Sequence, residues 1–277
     1  MISNETSRDF KLSNFRRVDG SGNATVYVDF LDRFAAERRE MIDIGIDLLE
    51  LRPGSAILDV GCGHGATIPM LASRVGASGR VMGVDPSRLV AEAHRRFSGS
   101  SVPVQISVGS AQSLEFADAT FDAARADRVL VFVPDPRAAL LELSRVTRAG
   151  GRVVVTEPDL GASMVDAADA ATTREVLAHV CNDFPNGWMG RKLRRMFLDA
   201  GFVDVEMRFF TMMNTSFSEW RKRMGIDDAL RATIESGIIS TTSAQAWLDE
   251  LRGLDAAGRF LAASTLSMVS GTKPASQ

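Results

Sequence analysis

The amino-acid sequence predicts an α/β fold: a mostly parallel β-sheet covered by helices on both faces. One observation is the alternation of short β-rich runs with helical stretches between residues 56 and 156, the rhythm that winds a parallel sheet. Another is that those runs are apolar throughout, as strands buried on both faces must be. A length of 277 residues, with 45% hydrophobic and 24% charged side chains, suits one large domain or one domain carrying an insertion.

The elements follow in chain order. Apolar residues recur at helical spacing from Val26 to Leu51, among them Val28, Leu31, Phe34, Ile42, Ile46 and Leu49. They predict two helices that stop near Pro53-Gly54. Next come a strand at Ala56–Val60, a helix at Ala66–Val75, a strand at Arg80–Val84 and a helix at Leu89–Phe97. Strands at Val102–Val108 and Phe121–Ala126, a helix at Pro136–Thr147 and a strand at Arg152–Thr156 complete the regular part. Past Pro158 the rhythm loosens. Residues 169–181 and 191–200 read as helices, and Phe202–Phe210 as a strand burying Val203, Val205, Met207 and Phe209. Residues 216–252 read as mostly helical, and Ala263–Gly271 as a last strand. The substrate-specific part is expected in this looser stretch.

Composition narrows the function classes. Thirty-two Lys+Arg against 35 Asp+Glu leave a formal charge of −3, so a nucleic-acid partner is not expected. No apolar run reaches the ~18 residues of a membrane span, and no membrane partner is expected either. Cys62 and Cys181 are too distant in sequence to suggest a disulfide framework or a zinc knuckle. Met1 to Asn14 is polar and lacks a signal-peptide core. Together these point to a cytoplasmic protein. No His/Asp/Glu group has ligand spacing, so no metal is expected.

The strongest local signal is Ile57-Leu58-Asp59-Val60-Gly61-Cys62-Gly63-His64-Gly65-Ala66, a strand running through alternating glycines into a helix. Glycines let the backbone turn sharply and approach a ligand closely. Twenty residues after Gly65, the second strand ends at Asp85, where a carboxylate can accept hydrogen bonds from ribose hydroxyls. A nucleoside-bearing cofactor lying across the carboxyl ends of the first strands is therefore expected. The loop also satisfies the dinucleotide pattern G-x-G-x-x-A, which keeps an NAD(P)-dependent oxidoreductase as an alternative. Asp59, two residues before the first glycine, opposes a pyrophosphate and suits a ligand carrying an ammonium group.

With these residues in place, a family resemblance emerges. Ile57–Gly65 resembles the first motif of class I S-adenosylmethionine-dependent methyltransferases, and Val81-Met82-Gly83-Val84-Asp85-Pro86-Ser87 the second. Val108-Gly109-Ser110-Ala111-Gln112, with Leu114 and Phe116, resembles the adenine-contacting third. Phe121-Asp122-Ala123 through Val129-Leu130, then Leu141–Val146 and Gly150-Gly151-Arg152-Val153, resembles the fourth and fifth. The ubiquinone/menaquinone methyltransferase-like branch is the most similar. The resemblance implies a Rossmann-like, seven-stranded class I methyltransferase sheet. It also implies an N-terminal helical lid (1–52), a cofactor-binding core (53–160), and substrate-side helices with the last strands (161–277), including a helical insertion between the last two strands.

The resemblance also implies roles. Gly61 and Gly63 would let the methionine portion pass, with Asp59 on its ammonium group. Asp85, followed by Pro86, would hold the ribose, while Ala111 and Gln112 flank the adenine. Ser110 stands where the family often has Asp, so weaker or water-assisted adenine recognition is expected. Asp127 and Arg128 would border the methyl-transfer site. Tyr27, the only tyrosine, either faces the cofactor from the lid or lies on an amphipathic surface.

Catalysis by positioning needs no dedicated base, since alignment alone can remove ~7–11 kcal/mol of the barrier. His179 could still take a proton from a phenol or hydroxyl, or could be a helix histidine bonded to a carbonyl. His64 is expected to pack near the methionine end of the cofactor, and His94 to be solvated. Trp188 could stack on a flat substrate and Arg191 could bind a carboxylate or quinone-type oxygen; equally, both could open a solvated helix. Met212, Met213 and Phe217, placed just past a strand end, are candidate lining for an apolar pocket. The expected reaction is methyl transfer to a small, largely apolar acceptor, aromatic or polyketide-like, leaving S-adenosylhomocysteine. The rivals are the oxidoreductase, a non-catalytic cofactor-binding module, and a tRNA or protein methyltransferase. A homodimer exchanging its N-terminal helix is compatible with the sequence.

Overall fold

The computed structural model describes residues 24–275 apart from 98 and 101. Seven strands form one sheet: β1 (Ala56–Val60), β2 (Arg80–Asp85), β3 (Val104–Val108), β4 (Phe121–Asp127), β5 (Thr147–Val165), β6 (Val203–Asn214) and β7 (Ala262–Thr272), in the order β3-β2-β1-β4-β5-β7-β6. The first five are parallel, and β7 runs antiparallel between β5 and β6. Helices α1 (Ala24–Glu37), α2 (Arg39–Asp47), α3 (Ile68–Val75), α4 (Leu89–Phe97), α5 (Pro136–Val146), α6 (Ala170–Asn182) and α7 (Met189–Asp199) precede β6. Helices α8 (Phe217–Met224), α9 (Ile226–Glu235) and α10 (Thr241–Ala256) are inserted between β6 and β7. The seven-stranded α/β sheet read from the sequence is thus present.

Side chains of the central strands alternate between two cores, as the period of two requires. Ile57, Val81, Ala123 and Val154 pack with Ile46, Ile68, Leu71 and Val90 from α2, α3 and α4. Leu58, Val60, Ala124, Val153 and Val155 pack on the opposite face with Leu140, Leu193 and Phe197. The insertion extends this second core through Trp220 of α8, Trp247 of α10 and Phe260 in the segment leading to β7, and the Trp247 Nε1–H donates to Thr173 Oγ1 at 2.9 Å, fastening α10 to α6. Helix starts follow local chemistry. Asp135 caps α5 ahead of Pro136, Asp169 caps α6, and Ser216 and Ser240 cap α8 and α10.

Three readings need correction. First, β5 extends to Val165 instead of stopping at Thr156, because antiparallel β7 continues the ladder past a register shift to Val165↔Ala262. Second, β6 runs to Asn214, so Met212 and Met213 lie within a strand. Third, Phe209 and Val203 are exposed and not core, since β6 is the edge strand of the sheet. No helix among the described residues is long and apolar enough to cross a membrane.

Candidate active site

Parallel pairing of β1 with β4 sets Asp59 beside Arg125 across the ladder, and two residues on, Asp127 points to the same face. Arg125 Nη1 lies 3.5 Å from Asp59 Oδ1, and Arg125 Nη2 lies 3.1 Å from Asp127 Oδ2. From the junction of α1 and α2, Arg38 adds donations to both Asp127 oxygens at 3.4 and 3.0 Å. Arg38 and Arg128 both lie over the Phe34 ring of α1, each guanidinium carbon 4.3 Å from its centroid. A cluster of mixed charge thus sits under the α1–α2 junction.

The two acids feel this cluster differently. Burial works to raise the Asp127 pKa, but Arg38, Arg125 and Arg128 overcome it and hold the carboxyl at about 2. At Asp59 burial wins, and the carboxyl titrates above its usual range despite Arg125 and a 2.9 Å hydrogen bond from Thr67 Oγ1. Burial, then the charge of Arg38, lowers the Arg128 guanidinium, which stays protonated at neutral pH. Three guanidinium donors, Arg38 Nε, Arg125 Nη1 and Arg128 Nε, are buried without hydrogen-bond partners among the described residues.

Above the carboxyl ends of β1, β2 and β4 lies a crevice of about 370 Å³. Gly61, Gly63, Asp85, Pro86, Ala111, Gln112, Asp127 and Arg128 all line it. Asp59 lies beside it, in a hollow of about 60 Å³ under the glycine loop. The Asp85 carboxylate accepts the Gly63 N–H and the Ser87 N–H, each at 2.9 Å, and is bonded by the Ser87 hydroxyl. Gly61 is required for a second reason besides ligand approach. Its φ is +73° and a Cβ there would stand 2.2 Å from Val129 Cγ2. His64 is buried and shares a 2.7 Å hydrogen bond with Asp32 of α1, itself held by Arg96 of α4. Burial lowers the His64 pKa against the opposing pull of Asp32. Tyr27 belongs to α1, but its side chain lies outside the described residues.

A second cavity, of about 220 Å³, opens over the ends of β5, β6 and β7. Phe34, Val131, Leu160, Phe184, Met212, Met213 and Met224 give it an apolar wall, and Arg128 and Phe132 belong to the lining of both cavities. The shared wall is the turn at residues 128–134. Buried Glu157 accepts the amides of Val129, Leu130 and Val131 at 2.8, 2.6 and 3.1 Å. Asn186 donates to the carbonyls of Leu130 and Val133 at 3.0 and 2.8 Å. Burial raises the Glu157 carboxyl to about 8, outweighing the three amides.

Four of the expected site residues are not brought to either cavity. Phe217 is buried against Trp220 and Phe260 and lines neither cavity. Arg191 is committed to Asp159 through bonds of 2.6 and 2.8 Å, and Trp188 stacks under Arg191 and over Gly161, away from both openings. His179 on α6 lines neither cavity. The segment 186–191 does reach the site, through Asn186 and not through its aromatic or basic residues.

Sequence reading missed Phe34, Arg38, Arg125 and Glu157. Arg125 and Asp127 carry a readable signal: charges at alternate positions in the strand Phe-Asp-Ala-Ala-Arg-Ala-Asp, whose other members are mostly small and apolar. Glu157, directly after Val-Val-Val-Thr, carries one too. Nothing local marks Phe34 or Arg38. No cluster of three or more His, Cys, Asp or Glu suited to a metal occurs among the described residues.

Comparisons bear on this geometry. A family model described as a methyltransferase domain matches residues 58–155. An uncharacterized 37.1 kDa protein in transposon TN4556 of Streptomyces fradiae is 36% identical over 245 residues, 87% of this chain and 70% of that protein. The demethylmenaquinone methyltransferase of Staphylococcus aureus is 32% identical over 192 residues, 63% of this chain and 76% of the relative. Phosphoethanolamine N-methyltransferase 2 of Haemonchus contortus, solved with S-adenosyl-L-methionine, shares the fold with a TM-score of 0.52 at 17% identity, covering 84% of this chain and 53% of that one.

Proposed function

Since the chain belongs to the class I S-adenosylmethionine-dependent methyltransferases, in their ubiquinone/menaquinone methyltransferase-like branch, we propose that it methylates a small, largely apolar acceptor, aromatic or polyketide-like. Family membership makes it an enzyme using S-adenosylmethionine and removes the dinucleotide and non-catalytic readings of the glycine loop. When bound, this cofactor supplies a methyl carbon on a positive sulfur, an electrophile already carrying its leaving group. The residues present fit it. A zwitterionic amino-acid end needs both signs of charge, and Asp59 and Asp127 with Arg38 and Arg125, each of which keeps a buried donor without a partner among the described residues, provide both.

We assign the ribose to Asp85, whose carboxylate is oriented by Gly63 and Ser87. Ala111 and Gln112 take the adenine, and the Asp59–Asp127 cluster takes the methionine portion. The expected lid (1–52) is described only from residue 24 on; there helix α1 covers the site, with Leu31 lining the crevice, Phe34 lining the apolar cavity and the neighbouring Arg38 reaching Asp127. The acceptor occupies the cavity of about 220 Å³, and the observation that carries this reading is that Arg128 and Phe132 wall both cavities at once. An acceptor seated there is screened from water by Phe34, Phe132 and Phe184, and alignment does most of the work.

The test is calorimetry on enzyme saturated with S-adenosylhomocysteine, using para-nitroanisole as a neutral aromatic probe. Saturable binding, weakened by Met212→Asp, is expected. Failure of any neutral aromatic to bind would remove the acceptor assignment.

A further inference from the structure

Arg128 holds a backbone conformation that residues with side chains avoid, φ +58°, while its amide donates to the Thr156 carbonyl at 2.7 Å. Glu157 and Asn186 fix the residues that follow. This enforced conformation sends the guanidinium into the wall between the two cavities. There its Nε is buried and lacks a hydrogen-bond partner among the described residues, the closest carboxylate being Asp127 at 3.7 Å. Asp127 already answers Arg38 and Arg125, and Glu157 is turned toward backbone amides. On the other side, the apolar cavity offers no imidazole, amine, thiol or phenol among its described lining. Its carboxylates, Glu37 and Glu219, are exposed, and the other cation of its lining, half-buried Arg223, stands 4.0 Å from Glu37. A buried cationic donor without an acceptor carries a free-energy penalty that an anion relieves.

We propose that Arg128 determines acceptor specificity by binding the acceptor as an oxyanion, a phenolate or an enolate. The acceptor O–H bond breaks before or on entry, its proton passes to bulk water, and the electron pair stays on the oxygen beside the guanidinium. No base inside the cavity is then required, because the cation lowers the acceptor's own pKa. This inference rests on the apolar cavity being the acceptor site.

Two probes of nearly equal shape separate the ideas in the enzyme saturated with S-adenosylhomocysteine: para-nitrophenol, whose phenolate is coloured, and para-nitroanisole, which cannot ionise. The wild type should bind the phenolate at least about tenfold tighter than the anisole. Bound para-nitrophenol should ionise about one pH unit lower than free, read from its absorbance. Arg128→Gln should abolish both effects yet still bind the anisole, Arg128→Lys should keep part of them, and Arg223→Gln should keep both. Equal binding of the two probes by the wild type, or a preference surviving Arg128→Gln, would overturn the role of Arg128 while leaving the cavity as the acceptor site. Binding of neither probe would overturn the acceptor site itself. The wild-type comparison decides the matter even where Arg128→Gln does not fold.

Discussion

The two cavities that meet at Arg128 and Phe132 are built of opposite material. The crevice over β1, β2 and β4 is governed by charge: Asp85 oriented by amides, and Asp127 among three arginines. The cavity over β5, β6 and β7 is walled by aromatic rings, methionines and leucines, with exposed carboxylates at Glu37 and Glu219. Two carboxylates, Asp127 in the crevice and Glu157 behind the shared wall, make the contrast sharper. Asp127 and Glu157 are both largely buried, yet one sits at about 2 and the other at about 8. Full positive charges outweigh desolvation at the first, whereas three backbone dipoles do not at the second. The lesson is that a cation-rich site keeps its acid ionised, whereas burial opposed only by backbone amides leaves the acid ready to take a proton.

The largest effect expected from breaking this contrast is Asp127→Asn. It strands Arg38, Arg125 and Arg128 with one fewer counter-charge, and unfolding by urea should show a loss of about 3–5 kcal/mol. An intact midpoint would mean that the arginines are solvated. Next comes Asp85→Ala, which should weaken S-adenosylhomocysteine by about 100-fold or more in calorimetry, roughly two lost charge-assisted hydrogen bonds. Its circular dichroism should stay native, and unchanged affinity would place the ribose elsewhere.

Glu157→Gln should cost about 1–3 kcal/mol, because an amide NH2 would face a backbone N–H. It also changes the pH dependence. The Glu157 pKa is higher folded (about 8) than unfolded (4.5), so its contribution is full below 4.5 and is lost as pH rises through about 8. The wild-type melting temperature should therefore carry a downward slope across that window which the variant lacks; parallel curves would show that Glu157 does not titrate there. Asp127 has the opposite sign: its contribution is present above 3.8 and lost as pH falls through about 2. The smallest effects come from the exposed end of the apolar cavity. Met213→Ala should change stability by no more than about 0.5 kcal/mol, since the side chain is 73% exposed, yet weaken para-nitroanisole measurably. His179→Ala should leave para-nitroanisole affinity unaltered, and a loss there would return this histidine to the site.

Legibility differed between the same two regions. The crevice was readable because its parts are local: a glycine loop directly after a strand, Asp85 ending the next strand, and Ala111-Gln112 soon after the third. The apolar cavity was half readable. Met212 and Met213, at a strand end, do line it, but Phe217, four residues further on, is core because it opens α8 and packs onto Trp220 and Phe260. Arg191 looked like a free cation until folding brought Asp159 to it across 32 residues. Nothing along the chain marks Arg38, whose partner Asp127 stands 89 residues on.

What the sequence determined alone was whatever depends on neighbours along the chain: hydrophobic periods, glycines at a sharp turn, an acid at a strand end. These are written in steric and hydrogen-bonding preferences that act over a few residues. Tertiary structure alone decided which cations confront Asp127, which acid silences Arg191, and why Arg128 stands between two cavities. Those outcomes depend on distance in space, because Coulombic and desolvation energies respond to separation and burial and take no account of position in the chain.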